Sequence, residues 1–235
     1  MEIVKPKQLF TREWGTGDRV AVLIHGIMAD SRCWWRVGPA LAELGYHVVA
    51  VDLPGHGESD REPDYTPELL AERVIDSVPR DPVLAIGHSI GGLTLALAVE
   101  RLRPYRAIYS DPAFRLPGAG VAENLMAAKH STRDQIRAVQ PTWPDEEVDL
   151  ELKMLAGWDP ETARLLETAA DRDFTPAPVV PSLVQVADPS FLVPPAFAAE
   201  LESRGFEVRT VERSDHTIHR DTFERFMGSL RDWLI

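Results

Sequence analysis

The chain has 235 residues, of which 44% are hydrophobic and 26% are charged, which is typical of one globular α/β domain with a substantial buried core. A formal net charge of −12 argues against nucleic acid or an anionic membrane surface as a partner. The single cysteine, Cys33, excludes an internal disulfide framework and a cysteine-rich metal site.

The predicted elements alternate between strands and helices along the first half of the chain. The first strand alternates apolar and polar residues, whereas the later ones are continuous apolar runs, typical of strands buried on both faces. Strands are predicted at residues 8–14, 20–24, 48–52 and 83–87, and helices at residues 33–44, 68–78 and 90–103. The turn residues Gly15 to Asp18 predict a hairpin between the first two strands.

The pattern changes after the next predicted strand, at residues 106–110. Between residues 113 and 178 only amphipathic helical segments are predicted, at residues 119–130, 131–139, 145–156 and 160–171. Strands return at residues 183–187 and 206–211, with helices at residues 195–203 and 221–234. We therefore predict a core formed by residues 1–112 and 179–235, and a helical insertion at residues 113–178.

The segment Gly87-His88-Ser89-Ile90-Gly91 joins a buried strand to a buried helix. Glycine two residues before and after Ser89 lets the strand and the helix pass close together in a sharp turn, which presents the serine hydroxyl. A match this short is by itself equally consistent with a structural turn.

Polar residues follow the predicted strands at six points, and the carboxyl ends of parallel strands are where such sheets bind ligands. These residues are His25, Asp52, Ser89, Asp111, Asp188 and His216. Their common position predicts one site at one edge of a doubly wound, mostly parallel sheet.

Four segments together resemble the motifs of the α/β-hydrolase family, and they occur in the family's order. They are His25-Gly26, Asp52-Leu53-Pro54-Gly55-His56-Gly57-Glu58-Ser59, Gly87-His88-Ser89-Ile90-Gly91-Gly92 and Asp215-His216. The resemblance implies an eight-stranded sheet with a small helical cap inserted after strand 6, where the predicted helical insertion falls.

The resemblance implies that Ser89 is a nucleophile and His216 its general base, oriented by a carboxylate. Two carboxylates remain open for that role. Asp188 follows the seventh strand but arrives two residues before the family's position, which Ser190 occupies, and Asp111 directly follows the sixth strand. The spacing slightly favours Asp111.

Other parts of the site are also implied by the resemblance, which assigns the oxyanion hole to the backbone N–H groups of Ile27 and Ile90. The residues themselves predict a pocket lined by large apolar side chains, of which two or three face the substrate. Those favoured are Trp34, Trp143, Trp158, Met126 and Phe114, from a wider set that also holds Trp35, Phe174, Leu125 and Met154.

The remaining polar residues of these motifs are predicted to have structural roles. We expect His25 and His88 to brace loops, His219 to lie at the surface or cap a helix, and Asp52 to brace the turn at residues 55–57. No histidine pair has metal-ligand spacing within one regular element, so no metal is predicted.

These features predict a serine hydrolase that cleaves a small or medium, largely apolar carboxylic ester, thioester or lactone through an acyl-enzyme, without a cofactor. A C–C bond hydrolase or cofactor-free lyase on the same fold is an alternative, as is a ligand-binding receptor of hydrolase ancestry. No apolar run is long enough to span a bilayer and the first ten residues lack the apolar core of a signal peptide. We therefore expect a cytoplasmic monomer or homodimer that acts on a small molecule and has no membrane insertion.

Overall fold

The computed structural model describes residues 8–116 and 120–234. Its centre is a seven-stranded sheet in the order β1-β3-β2-β4-β5-β6-β7. All neighbouring strands are parallel except β1, which runs antiparallel to β3. The strands are β1 Thr11–Trp14, β2 Val20–Ile24, β3 His47–Val51, β4 Leu84–His88, β5 Arg106–Ser110, β6 Ser182–Ala187 and β7 Glu207–Val211.

Helices flank the sheet and follow its strands. They are α1 Val37–Glu43, α2 Pro67–Ser77, α3 Ile90–Leu102, α4 Val121–Ala128, α5 Arg133–Val139, α6 Asp145–Gly157, α7 Leu165–Thr168, α8 Pro195–Ser203, α9 Ile218–Asp221 and α10 Phe223–Leu230. Two short 3-10 helices, Ser31–Trp34 and Pro160–Arg164, precede α1 and α7.

The central strands are buried on both faces because alternate side chains enter two different hydrophobic layers. Val22 and Ile24 of β2 pack with α2, α3 and α8 on one side of the sheet. Ala21 and Leu23 pack with α1 and α10 on the other side. The continuous apolar runs of the sequence therefore correspond to strands covered by helices on both faces.

The prediction of a first hairpin is wrong. β1 pairs with β3, with Thr11 opposite Val51 and Trp14 opposite Val48. Both edges of the apolar β2 are occupied by the parallel strands β3 and β4, so β1 pairs instead with the outer edge of β3.

The number of strands, the position of the insertion and two helix boundaries also differ from the sequence expectations. Seven strands are present in the described residues, whereas the family resemblance implies eight, and the helical insertion follows the fifth of them. The segment predicted as one helix at residues 33–44 is a 3-10 turn followed by α1. The helix predicted at residues 221–234 is the shorter α10, and the short helix α9 before it was not predicted. Residue 119, the predicted start of the first inserted helix, lies outside the described residues.

The inserted helices α4 to α7 lie beyond the carboxyl edge of the sheet, and the chain enters and leaves them side by side. Arg115 forms an isolated antiparallel bridge with Asp173, and the Phe174 N–H donates to the Phe114 carbonyl at 2.8 Å. Helices α4, α5 and α6 share a small hydrophobic cluster that includes Val148. The division at residues 113–178 remains a prediction.

The helices are short relative to the thickness of a bilayer. Within residues 8–116 and 120–234, none is both long and apolar enough to cross a membrane.

Candidate active site

Ser89 occupies a strained turn between β4 and α3. Its φ of +55° and ψ of −119° lie in a region that non-glycine residues rarely adopt, and the residue is buried. A Cβ on Gly87 would lie 2.3 Å from the Gly91 carbonyl oxygen, and one on Gly91 would lie 2.3 Å from the Ile24 carbonyl oxygen. The two glycines therefore permit the close contact of strand and helix that holds Ser89 in this conformation.

His216 contacts the carboxylate of Asp111. Its Nδ1 lies 2.6 Å from Asp111 Oδ2, and Asp111 is completely buried. The other carboxylate oxygen of Asp111 accepts the Ala187 N–H at 3.2 Å. A charge-assisted bond of this length holds the proton on Nδ1 and leaves Nε2 as the basic nitrogen of the ring.

Asp188 is not placed in the same way as Asp111. It follows β6, its side chain is exposed, and its N–H donates to the Ser214 carbonyl at 3.1 Å. Of the two carboxylates that the sequence left open, Asp111 is the one that contacts His216.

His88 and His25 brace backbone next to these residues, as predicted. The His88 ring lies 4.7 Å from that of His216, and its Nε2 is 2.9 Å from the His216 carbonyl oxygen, to which it donates. Burial lowers the pKa of His88 well below its ordinary value, and the charge of a protonated His216 lowers it further. His25 Nε2 accepts the Leu53 N–H at 2.9 Å, while its Nδ1 donates to the Gly26 carbonyl at 2.7 Å.

Asp52 braces the following turn, which confirms the prediction for that residue. One of its carboxylate oxygens accepts the Ser31 N–H at 2.7 Å and the other accepts the Glu58 N–H at 2.9 Å. These bonds tie the loop after β3 to the loop after β2.

His219 differs from the prediction of a surface or capping residue. It is 2% exposed and its ring stacks on Trp34 with 4.2 Å between centroids. Burial lowers its pKa well below the ordinary value. The short helix α9 turns this side chain inward. The sequence prediction starts the last helix only at residue 221, so it does not place His219 in a helix.

Ser89 and His216 border one cavity of about 420 Å³, together with Ile27 and Ile90. Ile90 begins α3, where the first N–H groups have no acceptor within the helix and the helix dipole is positive. The inserted helices and the segments between them supply a largely apolar wall, formed by Val121, Leu125, Ala128, Ile136, Val139, Leu155 and Leu166.

Of the five large apolar residues predicted for the pocket, Trp143 lines this cavity. The other four predictions are wrong, because Trp34, Trp158 and Phe114 are buried in the interior and the half-buried Met126 packs away from the cavity lining. Trp34 stacks on His219, Trp158 donates to Thr162 Oγ1 at 2.6 Å, Phe114 packs on Tyr109, and Met126 packs against the cluster within the insertion.

A buried ion cluster joins the insertion to the loop that carries His216, and sequence reasoning missed it. Arg220 Nε donates to Glu147 at 2.8 Å and its Nη1 donates to Glu151 at 2.6 Å. Its guanidinium carbon lies 3.9 Å from the centroid of the Trp143 ring. Glu147 stands in an acidic run that is typical of a solvated helix start, so the sequence carries no signal of its burial.

The parts of the chain that the structure describes contain no group of three or more histidine, cysteine, aspartate or glutamate side chains arranged to hold a metal ion.

Comparisons with known proteins identify the family and the fold of this chain. Residues 21–227 match the model of the alpha/beta hydrolase family. Probable esterase PIR7A of Oryza sativa subsp. indica is 33% identical over 110 residues, which are 44% of this chain and 42% of that protein. Pimeloyl-[acyl-carrier protein] methyl ester esterase of Sodalis glossinidius (strain morsitans) is 36% identical over 115 residues, 47% of this chain and 44% of that protein.

The chain thus spans less than half the length of these two relatives. Among solved structures, an esterase from Exiguobacterium antarcticum superposes with a TM-score of 0.79 at 18% identity, covering 98% of this chain and 97% of that one. That likeness concerns the fold. Because the family model matches most of the chain, the protein belongs to the alpha/beta hydrolase family.

Proposed function

We propose that this chain hydrolyses carboxylic esters, with Ser89 as nucleophile, His216 as general base and Asp111 as the carboxylate that orients it. The observation that carries the proposal is the 2.6 Å contact between His216 Nδ1 and the buried Asp111 carboxylate, on the same cavity as the strained Ser89. The names of the relatives, an esterase and a methyl ester esterase, support the same reaction class.

In the proposed mechanism, Ser89 Oγ attacks the ester carbonyl carbon while His216 Nε2 takes the hydroxyl proton. The N–H groups of Ile27 and Ile90 stabilise the oxyanion of the tetrahedral intermediate. His216 then gives its proton to the departing alcohol oxygen, which leaves an acyl-enzyme on Ser89. Water, deprotonated by His216, attacks that acyl group and releases the acid and the free serine.

The lining of the cavity favours an uncharged, apolar substrate. Among its described lining residues Arg220 is the one permanent cation, and both glutamates of its cluster already neutralise it. Asp215 adds a negative charge at the rim, so a substrate carboxylate or phosphate would meet repulsion. We further propose that residues 113–178 act as the cap that covers the acyl group, because their apolar side chains line the cavity.

The test uses p-nitrophenyl esters of two to eight acyl carbons and a fluorophosphonate probe. We expect a burst of p-nitrophenol followed by steady turnover, labelling of Ser89, and loss of both in Ser89→Ala. Ser203→Ala changes an exposed serine at the end of α8 and serves as the matched control, with unchanged activity.

Two results would overturn the proposal. A wild-type protein that neither labels nor hydrolyses any ester lacks the nucleophile. Labelling without ester turnover would instead favour a lyase, a C–C bond hydrolase or a receptor.

A further inference from the structure

Phe191 is a large apolar side chain that stands exposed beside His216. It is 69% exposed, its ring centroid lies 5.2 Å from that of His216 with the planes inclined at 52°, and it borders the same cavity as Ser89. A single exposed aromatic is ordinary on a protein surface. Phe191 differs from the exposed Tyr105 because it lies against the imidazole of His216 at the cavity rim.

The backbone on both sides of Phe191 is tied down. On one side, the Asp188 N–H donates to the Ser214 carbonyl at 3.1 Å, two residues before His216. On the other side, the Val193 N–H donates to Ser190 Oγ at 2.9 Å, and Leu192 is buried in the core. The loop therefore presents Phe191 at a defined position relative to His216.

The proposed mechanism determines on which side of Ser89 the acyl half and the alcohol half of the ester lie. His216 gives its proton to the departing oxygen, so the alcohol half must lie on the His216 side of Ser89. The apolar side chains of the insertion, such as Leu125 and Leu155, remain available to the acyl half. Phe191 is the large apolar group that contacts His216 at the rim, on the side of the alcohol.

Resting on the proposed function, we infer that Phe191 is a specificity-determining residue that binds the alcohol part of the ester. Its ring favours alcohols with an apolar and especially an aromatic group, which pack against an aromatic face in an offset or edge-on arrangement. A methyl ester is too small to gain from this contact.

The experiment compares Phe191→Ala with wild type on two substrate series. One keeps the acetyl group and changes the alcohol from methyl to butyl to benzyl; the other keeps the methyl alcohol and lengthens the acyl chain from two to six carbons. We expect KM for benzyl acetate to rise about tenfold, the effect of losing roughly 50 Å² of apolar contact. Methyl acetate and the acyl series should change less than about twofold.

Control variants distinguish the possible reasons for a weaker activity of Phe191→Ala on benzyl acetate. Tyr105→Ala removes an exposed aromatic elsewhere and should change neither series, while Phe191→Leu should recover part of the benzyl preference. A loss in kcat that is equal for all esters, with a shifted pH profile, would mean that Phe191 acts on His216 itself and would overturn the inference. An unchanged benzyl preference, or a loss that follows acyl length, would overturn it as well.

The same data distinguish this inference from the proposed function. If the wild type hydrolyses no ester, the proposed function fails. If the wild type is active and the alcohol preference is unaffected by Phe191→Ala, only the assignment of Phe191 fails.

Discussion

Replacing Asp111 by asparagine tests the arrangement around His216 with the smallest change in shape. The carboxylate oxygen that lies 2.6 Å from His216 Nδ1 would become an amide N–H₂ group, because the other oxygen must still accept the Ala187 N–H. An amide donor facing Nδ1 forces that nitrogen to accept, so the proton moves to Nε2. The imidazole then has no basic nitrogen to take the Ser89 proton.

We expect kcat of Asp111→Asn to fall by about 10⁴-fold, the size seen when an orienting carboxylate is replaced by its amide in other triads. This corresponds to about 5.5 kcal/mol of activation free energy. The fold should survive, because the Ala187 bond is retained and volume is unchanged. We therefore expect the free energy of unfolding to change by less than about 2 kcal/mol.

The assay is the steady-state release of p-nitrophenol, with urea unfolding as the measure of stability. Asp188→Asn is the matched control, since the same chemical change is made at an exposed residue, and it should alter kcat by less than about twofold. The reasoning is refuted if Asp188→Asn loses activity while Asp111→Asn stays within about tenfold of wild type.

Three further perturbations test the packing, the buried ion pair and the buried histidine that support the site. Gly91→Ala should reduce the free energy of unfolding by at least about 2 kcal/mol, because its Cβ meets backbone oxygens at 2.3 and 2.4 Å. Gly228→Ala, on the open face of α10, should instead add up to about 1 kcal/mol; equal urea midpoints for the two variants would contradict the packing argument. Arg220→Met leaves the buried Glu147 uncompensated and should cost about 3–5 kcal/mol, whereas Arg164→Met, in an exposed pair with Glu161, should leave the stability nearly unchanged because solvent screens that pair; similar losses in thermal unfolding would disprove the difference. Burial lowers the pKa of His56 from 6.5 to about 3. Between these pH values the unfolded chain binds a proton on His56 that the folded chain does not, so the free energy of unfolding falls as the pH drops below about 6.5. At pH 5 this histidine should account for about 2 kcal/mol, and urea titrations of His56→Asn should show a correspondingly smaller loss between pH 7 and pH 5, while an unchanged pH slope would exclude this cause.

Much of the architecture follows from local patterns. Continuous apolar runs predicted the parallel strands β2 to β6, and turn residues placed the loops that carry His25, Asp52, Ser89 and Asp111 at one edge of the sheet. The hairpin prediction was wrong, since alternation in a sequence indicates a strand but not its partner. β1 joined β3 because no other edge near it was free.

The sequence by itself determined the strand ends, the glycines around Ser89 and the set of polar residues from which a site is built, because each depends on spacing along the chain. Only the tertiary structure decided which carboxylate contacts His216, since Asp111 and Asp188 follow neighbouring strands, and it is Asp111 whose buried side chain reaches the imidazole. The tertiary structure also decided which side chains line the cavity. Whether Trp158 fills the core or Trp143 faces the cavity depends on how the inserted helices pack, and this packing joins residues far apart in the chain.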